Sequence, residues 1–181
     1  MALTQPKLYT EEDYYNLPEN IRAELIDGQF YYMAAPSRMH QEILSALHAT
    51  IYNYIKSKGS SCRVYPAPFA VRLSKDKDNI VEPDISVICD TDKLTDRGCT
   101  GAPDWIIEII SPGNPGHDYV RKLNLYMNSG VREYWIINPM KSTVTVYDFE
   151  YEKGTDQYIF SDTIPVCIYG DLEINIAGLL S

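Results

Sequence analysis

Apolar positions along this chain switch between two periods. From Ser37 to Lys58 the residues Ile43, Leu44, Leu47, Ile51, Tyr54 and Ile55 recur at helical spacing and define one buried stripe. Ser37 caps the start of this helix, and Lys58-Gly59 ends it, because glycine commonly terminates helices. A shorter helix opens at Thr10-Glu11-Glu12-Asp13, which has the spacing of a capping box, and closes near Leu17-Pro18. Between these two helices, Ala23 to Ile26 and Gln29 to Ala34 flank Asp27-Gly28, the dipeptide of a tight hairpin turn.

After the long helix the pattern becomes β-prone, with runs at Arg63 to Tyr65, Phe69 to Leu73 and Val81 to Cys89. Pro66 and Pro68 mark an edge or bend, Ser74 to Asn79 reads as a turn, and Asp90 to Pro103 as a charged loop. Trp105 to Ile110 is the clearest buried strand, followed by an extended loop from Ser111 to Gly116. A helix is expected from about Asp118 to Ser129, then a strand over Glu133 to Ile137. Thr143 to Phe149 and Gln157 to Phe160 form a final antiparallel pair. Strands flanked by helices, with hairpins and a strand–helix–strand crossover, predict an α/β domain with a mixed sheet. Its 181 residues fit one domain with a sizeable core.

Glu108 breaks the pattern, being a carboxylate inside an apolar strand. An ionised carboxylate buried without partners is costly. Glu108 is therefore either satisfied by a basic or polar neighbour, or it faces a cleft and binds something positive. Asp84, which follows Pro83 at the start of the apolar run Asp84-Ile85-Ser86-Val87-Ile88, offers a second acid that could converge on the same cation. Hard oxygen ligands suit Mg²⁺, with Mn²⁺ as substitute, and such an ion can polarise a phosphoryl oxygen and activate water. The helix after Glu108 carries Lys122, four residues from Asp118 and on its face. Lys122 either turns back to the two acids or is a solvated lysine paired with Asp118. Pro103-Asp104 lies only four residues before Glu108, roughly 13 Å along a strand. Asp104 is accordingly assigned a strand-start or turn role.

Composition narrows the alternatives. An apolar content of 45% and a charged content of 23% are those of a soluble globular protein. No run approaches the roughly 18 apolar residues of a membrane span, and Met1 to Thr10 lacks the features of a secretory signal, so a cytoplasmic location is expected. The net charge of −9 argues against nonspecific coating of nucleic acid, though not against a local basic groove. Cys62, Cys89, Cys99 and Cys167 are widely spaced with no CxxC, and are read as free thiols rather than zinc ligands or a disulfide framework.

Several segments taken in order carry a resemblance. Ala23-Glu24-Leu25-Ile26-Asp27-Gly28, Pro36-Ser37-Arg38-Met39-His40, Glu82-Pro83-Asp84, Gly101-Ala102-Pro103-Asp104 through Glu108-Ile109-Ile110-Ser111-Pro112, and Gly130-Val131-Arg132-Glu133-Tyr134-Trp135 together resemble the Uma-type restriction endonuclease family. That family belongs to the PD-(D/E)XK nuclease superfamily, and the likeness runs from about Tyr9 to Leu180. It implies a restriction-endonuclease-like fold and DNA cleavage dependent on a divalent metal. Position by position, it matches Asp84 and Glu108 to the two metal-binding acids. The usual lysine position is Ile110 here, and the resemblance matches its role to Lys122 on the helix.

Glu24 matches an additional upstream acid of the superfamily and is equally readable as a salt-bridge residue of the hairpin. His40, near the start of the long helix, could contact a phosphate or an active-site acid, or serve structure alone. His48 and His117 carry less, although His117 could border the cleft. Tyr126, Tyr134 and Trp135 are read as packing aromatics, and Arg121 and Arg132 as phosphate contacts or solvated charges. The function expected is DNA phosphodiester hydrolysis at Asp84, Glu108 and Lys122, in a homodimer whose two-fold axis matches a duplex. The alternative is a catalytically inactive nucleic-acid-binding or regulatory subunit, alone or within a larger defence or repair assembly.

Overall fold

A computed structural model describes residues 7–74, 78–112, 117–151 and 154–181, without the side chains of His117 and Asp118. Parts of the expected Ser74–Asn79 turn and Ser111–Gly116 loop, and the Asp118 side chain expected beside Lys122, lie outside the described residues. Two six-stranded sheets hold most of the strands among the described residues. The first contains the hairpin β1 (Ala23–Ile26) and β2 (Gln29–Tyr32), joined to β5 (Ile80–Val81), β4 (Val71–Arg72), β8 (Gly98–Thr100) and β7 (Leu94–Thr95). Both turn residues of the hairpin have positive φ, 49° at Asp27 and 73° at Gly28. A two-residue primed turn requires this, and Asp-Gly supplies it at low cost.

The second sheet runs β12 (Gly154–Ile159), β11 (Thr143–Asp148), β10 (Glu133–Asn138), β9 (Trp105–Ile109), β6 (Ile85–Ile88) and β3 (Arg63–Pro66). Only β9 and β10 pair in parallel, with helix α3 (His117–Ser129) crossing between them. The other neighbours are antiparallel, so the sheet is mixed as expected. Helix α1 (Glu11–Tyr15) opens with the capping box at Thr10 and Asp13, and α2 (Arg38–Ser57) opens on the Ser37 cap.

Each face of the second sheet has its own core. Ile85, Val87, Trp105, Ile107, Ile109, Trp135 and Ile137 pack with the stripe of α2 and with the C-terminal segment. The alternate residues Ile88, Ile106 and Tyr134 pack on the other side with Tyr126 of α3 and with residues of the first sheet. This follows from the period of two along a strand, and it sends neighbouring side chains into different environments.

Four expectations are corrected. Cys62 and Cys89 are not free thiols but form a disulfide. They flank the Arg63↔Ile88 pair of adjacent antiparallel strands, a proximity that sequence spacing does not reveal. The run Val81 to Cys89 is two strands, β5 and β6, in different sheets. Pro83 lacks the N–H needed to continue a ladder, and the chain crosses between sheets at Glu82-Pro83-Asp84. Asp90 to Pro103 is more than a loop, holding a 3₁₀ turn at Thr91–Lys93 and the short hairpin β7–β8. Beyond Phe160 lie a further pair, β13 (Ile164–Pro165) with β14 (Glu173–Ile174), and helix α4 (Ile176–Leu179), none of them expected. Among the described residues no helix is long and apolar enough to cross a membrane.

Candidate active site

The crossing at Glu82-Pro83-Asp84 sets Asp84 one step before β6. The ladder pairs Ile85 with Ile107, so continuing its register places Asp84 opposite Glu108. Opposed residues on antiparallel strands have Cβ atoms about 5 Å apart on one face. Asp84 also shares the parity of Ser86 and Ile88, as Glu108 shares that of Ile106, so both acids leave the sheet on the side covered by α3.

Each acid is held by specific donors. The Ile109 N–H donates to Asp84 Oδ2 at 2.7 Å, and His40 Nε2 lies 3.1 Å from Asp84 Oδ1. Lys122 Nζ donates to Glu108 Oε1 at 3.0 Å, and the Tyr126 hydroxyl donates to the same oxygen at 2.7 Å. Lys122 and Tyr126 are four residues apart and share the face of α3 turned to the sheet. Lys122 also reaches Glu24, at 2.9 Å to Oε1 and 2.8 Å to Oε2. Glu24 Oε1 accepts in addition from the Glu82 N–H at 3.0 Å, tying the hairpin to the crossing segment. Glu82 in turn accepts from Arg22 at 2.7 Å and from the Tyr14 hydroxyl at 2.8 Å.

Glu24, His40, Asp84, Glu108, Lys122 and Tyr126 are buried, with Glu24 and Lys122 only 3% exposed and Glu108 6%. Burial pushes the Glu108 carboxyl up to about 8. Lys122 and the Tyr126 hydrogen bond pull it down, whereas Asp84 and Glu24 raise it further by like-charge repulsion. Tyr126 is itself held well above its ordinary value by burial and by Glu108, so it remains a hydroxyl donor.

Glu24, His40, Asp84, Glu108 and Lys122 line one cleft of about 640 Å³. With Glu82 paired to Arg22, Lys122 pairs with Glu24 and Glu108, and Asp84 adds a third acid to the cleft beside His40. Among the described residues no group of three or more His, Cys, Asp or Glu is placed to cage an ion. Two opposed carboxylates in a solvent-connected cleft instead fit a hard cation that keeps several waters, as Mg²⁺ does.

The five singled-out residues therefore come together. Glu24 forms its ion pair with α3, not within its own hairpin. His40 contacts an acid and leaves its buried Nδ1 without a hydrogen-bond partner among the described residues. Asp104 caps the strand start as expected, accepting from the Cys89 N–H at 2.7 Å and pairing with Arg132. Arg132 pairs with Glu150 as well, which removes it from the cleft's cations. His48 stacks near Tyr52 on α2, and the His117 side chain lies outside the described residues. Tyr126 is the site residue that sequence reading missed. Its i+4 spacing from Lys122 was the available signal, outweighed by the ordinary packing role of tyrosine.

Fold and site together define a restriction-endonuclease-like α/β protein. The family model Uma2, described as "Putative restriction endonuclease", matches residues 11–168, and the chain belongs to that family. A crystal structure of a "putative nuclease belonging to DUF820" from Anabaena variabilis ATCC 29413 shares the fold, with a TM-score of 0.78 and 24% identity. The match covers 94% of this chain and 97% of that one. The chain is also 27% identical, over 145 residues, to the "Uncharacterized protein slr1290" of Synechocystis sp. (strain ATCC 27184 / PCC 6803 / Kazusa), covering 78% of this chain and 74% of that one.

Proposed function

We propose that this protein is an endonuclease that hydrolyses DNA phosphodiester bonds with Mg²⁺, or Mn²⁺ as substitute. The observation that carries this reading is the placement of Asp84 opposite Glu108, with Lys122 Nζ 3.0 Å from Glu108. Asp84 and Glu108 would hold the ion, which when bound polarises a phosphoryl oxygen and activates water. The protein's own groups prepare that event. The Ile109 N–H and His40 orient Asp84, while Tyr126 and Lys122 orient Glu108. The Lys122 ammonium also places positive charge where the phosphoryl group gathers negative charge in the transition state.

Replacing Asp84 or Glu108 by alanine should abolish Mn²⁺-dependent cleavage of single- and double-stranded DNA, with circular dichroism unchanged. Retained cleavage in both purified variants sinks the assignment. A second reading, a nucleic-acid-binding or regulatory module without turnover, is favoured by one observation: Lys122 is shared between two buried glutamates. Calorimetric Mn²⁺ binding with no cleavage of any nucleic acid would support it. A homodimer, alone or within a larger assembly, would be needed only if both strands of a duplex are cut together.

A further inference from the structure

Three cations line the cleft, namely Arg22, Arg121 and Lys122, and two of them are committed. Arg22 is held by two bonds to Glu82, and Lys122 by Glu24 and Glu108. Arg121 is different. It is solvent-exposed, and no carboxylate of the described residues pairs with it. Its guanidinium lies 4.5 Å from the centre of the Tyr31 ring.

Tyr31 is well placed to hold it there. On β2 it is the register partner of Glu24, so its ring stands on the face that carries Glu24 to Lys122. The ring is half-buried and packs against the core on the α3 side of the second sheet. A guanidinium stacked on a fixed aromatic face keeps its edge N–H groups free to donate. Arg121 thus carries a pre-oriented set of donors next in sequence to Lys122, at the mouth of the same cleft.

We propose that Arg121, positioned by Tyr31, is the phosphate-gripping residue of the cleft, contacting the backbone of the nucleic-acid strand beside the scissile bond. The proposal rests on the nuclease reading for the substrate's identity. It adds a binding residue and a substrate property. With the other two cleft cations committed to carboxylates, the grip on the backbone is a local one, made by one side chain. Planar bidentate recognition of a phosphate favours arginine over lysine, and among the described residues no cation besides Arg22, Arg121 and Lys122 lines the cleft to extend the grip along a duplex. The preferred substrate is accordingly a short single-stranded stretch that can enter the cleft, in preference to a continuous duplex.

The test is equilibrium binding of a fluorescent single-stranded oligonucleotide to the full chain over a range of salt, with and without Mn²⁺, alongside cleavage kinetics. Arg121→Ala should weaken binding by about tenfold and lower the slope of log affinity against log salt by about 0.7, the loss of one phosphate contact on a single strand. In cleavage, KM should rise more than kcat falls. Arg121→Lys should keep the salt slope but recover only part of the affinity, because the planar fork is lost. Tyr31→Phe should retain most of the affinity, while Tyr31→Ala weakens binding at an unchanged salt slope. An Arg121→Ala protein with parental affinity and slope overturns the proposal, as does a wild-type chain that binds no oligonucleotide or prefers the duplex. If the wild-type chain binds in an Arg121-dependent way but never cleaves, the grip stands and the nuclease reading fails. If cleavage persists unchanged in Arg121→Ala, the grip fails and the nuclease reading stands.

Discussion

Two buried glutamates sit on adjacent strands of one sheet and leave it by opposite faces. Glu108 of β9 opposes Asp84 beneath α3, while Glu133 of β10 points with Trp135 into the other core. Burial raises both carboxyls above their ordinary value. Their partners differ in kind. Glu133, fully buried, accepts from the Trp135 indole N–H at 2.6 Å and from the Cys167 and Ile168 N–H groups at 3.0 and 2.9 Å. Those neutral donors pin the C-terminal segment to the sheet. Glu108 is held by a lysine and a tyrosine, with two further carboxylates close enough to repel it. A glutamate satisfied by neutral donors serves structure, whereas one crowded by like charge at the floor of a cleft is poised for a cation.

Exchanging the two positions gives the largest expected contrast. Glu133→Ala strands the buried Trp135 indole N–H and two part-buried backbone N–H groups and should cost about 3 kcal/mol of stability, read from the urea midpoint, with activity falling only as the folded fraction does. Glu108→Ala should cost less, about 1–2 kcal/mol, because Lys122 keeps its pair with Glu24 and only the Tyr126 hydroxyl is left without its acceptor, while metal-dependent turnover should disappear. Loss of turnover in a folded Glu133→Ala protein would dissolve the distinction.

The same contrast explains what the sequence disclosed. Glu108 stood out because apolar residues surround it on β9, Asp84 because it heads a second apolar run, and Lys122 because the resemblance matches the missing strand lysine to the helix that follows. Glu133 opens an apolar strand directly after Arg132 and so drew no notice, although it is buried as deeply. Their difference lies in strand parity and in partners remote along the chain, Lys122 for one and Cys167–Ile168 for the other. The helices and the β1–β2 hairpin were legible because caps, periodicity and turn chemistry are local. The β5/β6 split and the Cys62–Cys89 bond depend on which strands become neighbours, and periodicity does not encode that. Tyr126 escaped for a related reason, since a tyrosine on an apolar helix face looks the same whether its hydroxyl meets a core or a carboxylate.

Removing the counter-charge sharpens the comparison further. Lys122→Met leaves Glu24 and Glu108 buried side by side without their ammonium, and breaking a buried ion pair in this way costs about 3–5 kcal/mol. The distinctive outcome is rescue. A divalent cation that binds only the folded state stabilises by linkage, so millimolar Mn²⁺ should raise the midpoint of Lys122→Met. No metal should restore Glu133→Ala, whose deficit is in neutral hydrogen bonds. Equal responses of the two variants to Mn²⁺ would refute a cation site at Glu108.

The smallest predicted effect concerns protons, and its sign follows from the raised Glu108 carboxyl. The folded form holds its proton to about 8 and the unfolded form only to the ordinary 4.5. Without metal, the stability that this proton contributes is therefore full below about 4.5 and lost as pH rises through about 8. Affinity for the proposed metal should run the other way, because the ion would have to displace the proton. Mn²⁺ binding should strengthen by up to about tenfold per pH unit below pH 8 and level off above it. Calorimetric titrations from pH 6 to 9 read this directly. Glu108→Gln, which cannot ionise, should flatten the profile, whereas Glu133→Gln should leave its midpoint in place even where it lowers the folded fraction. A midpoint that moves with Glu133 would mean that the two faces of the sheet are electrostatically one site, contrary to the separation that strand parity imposes.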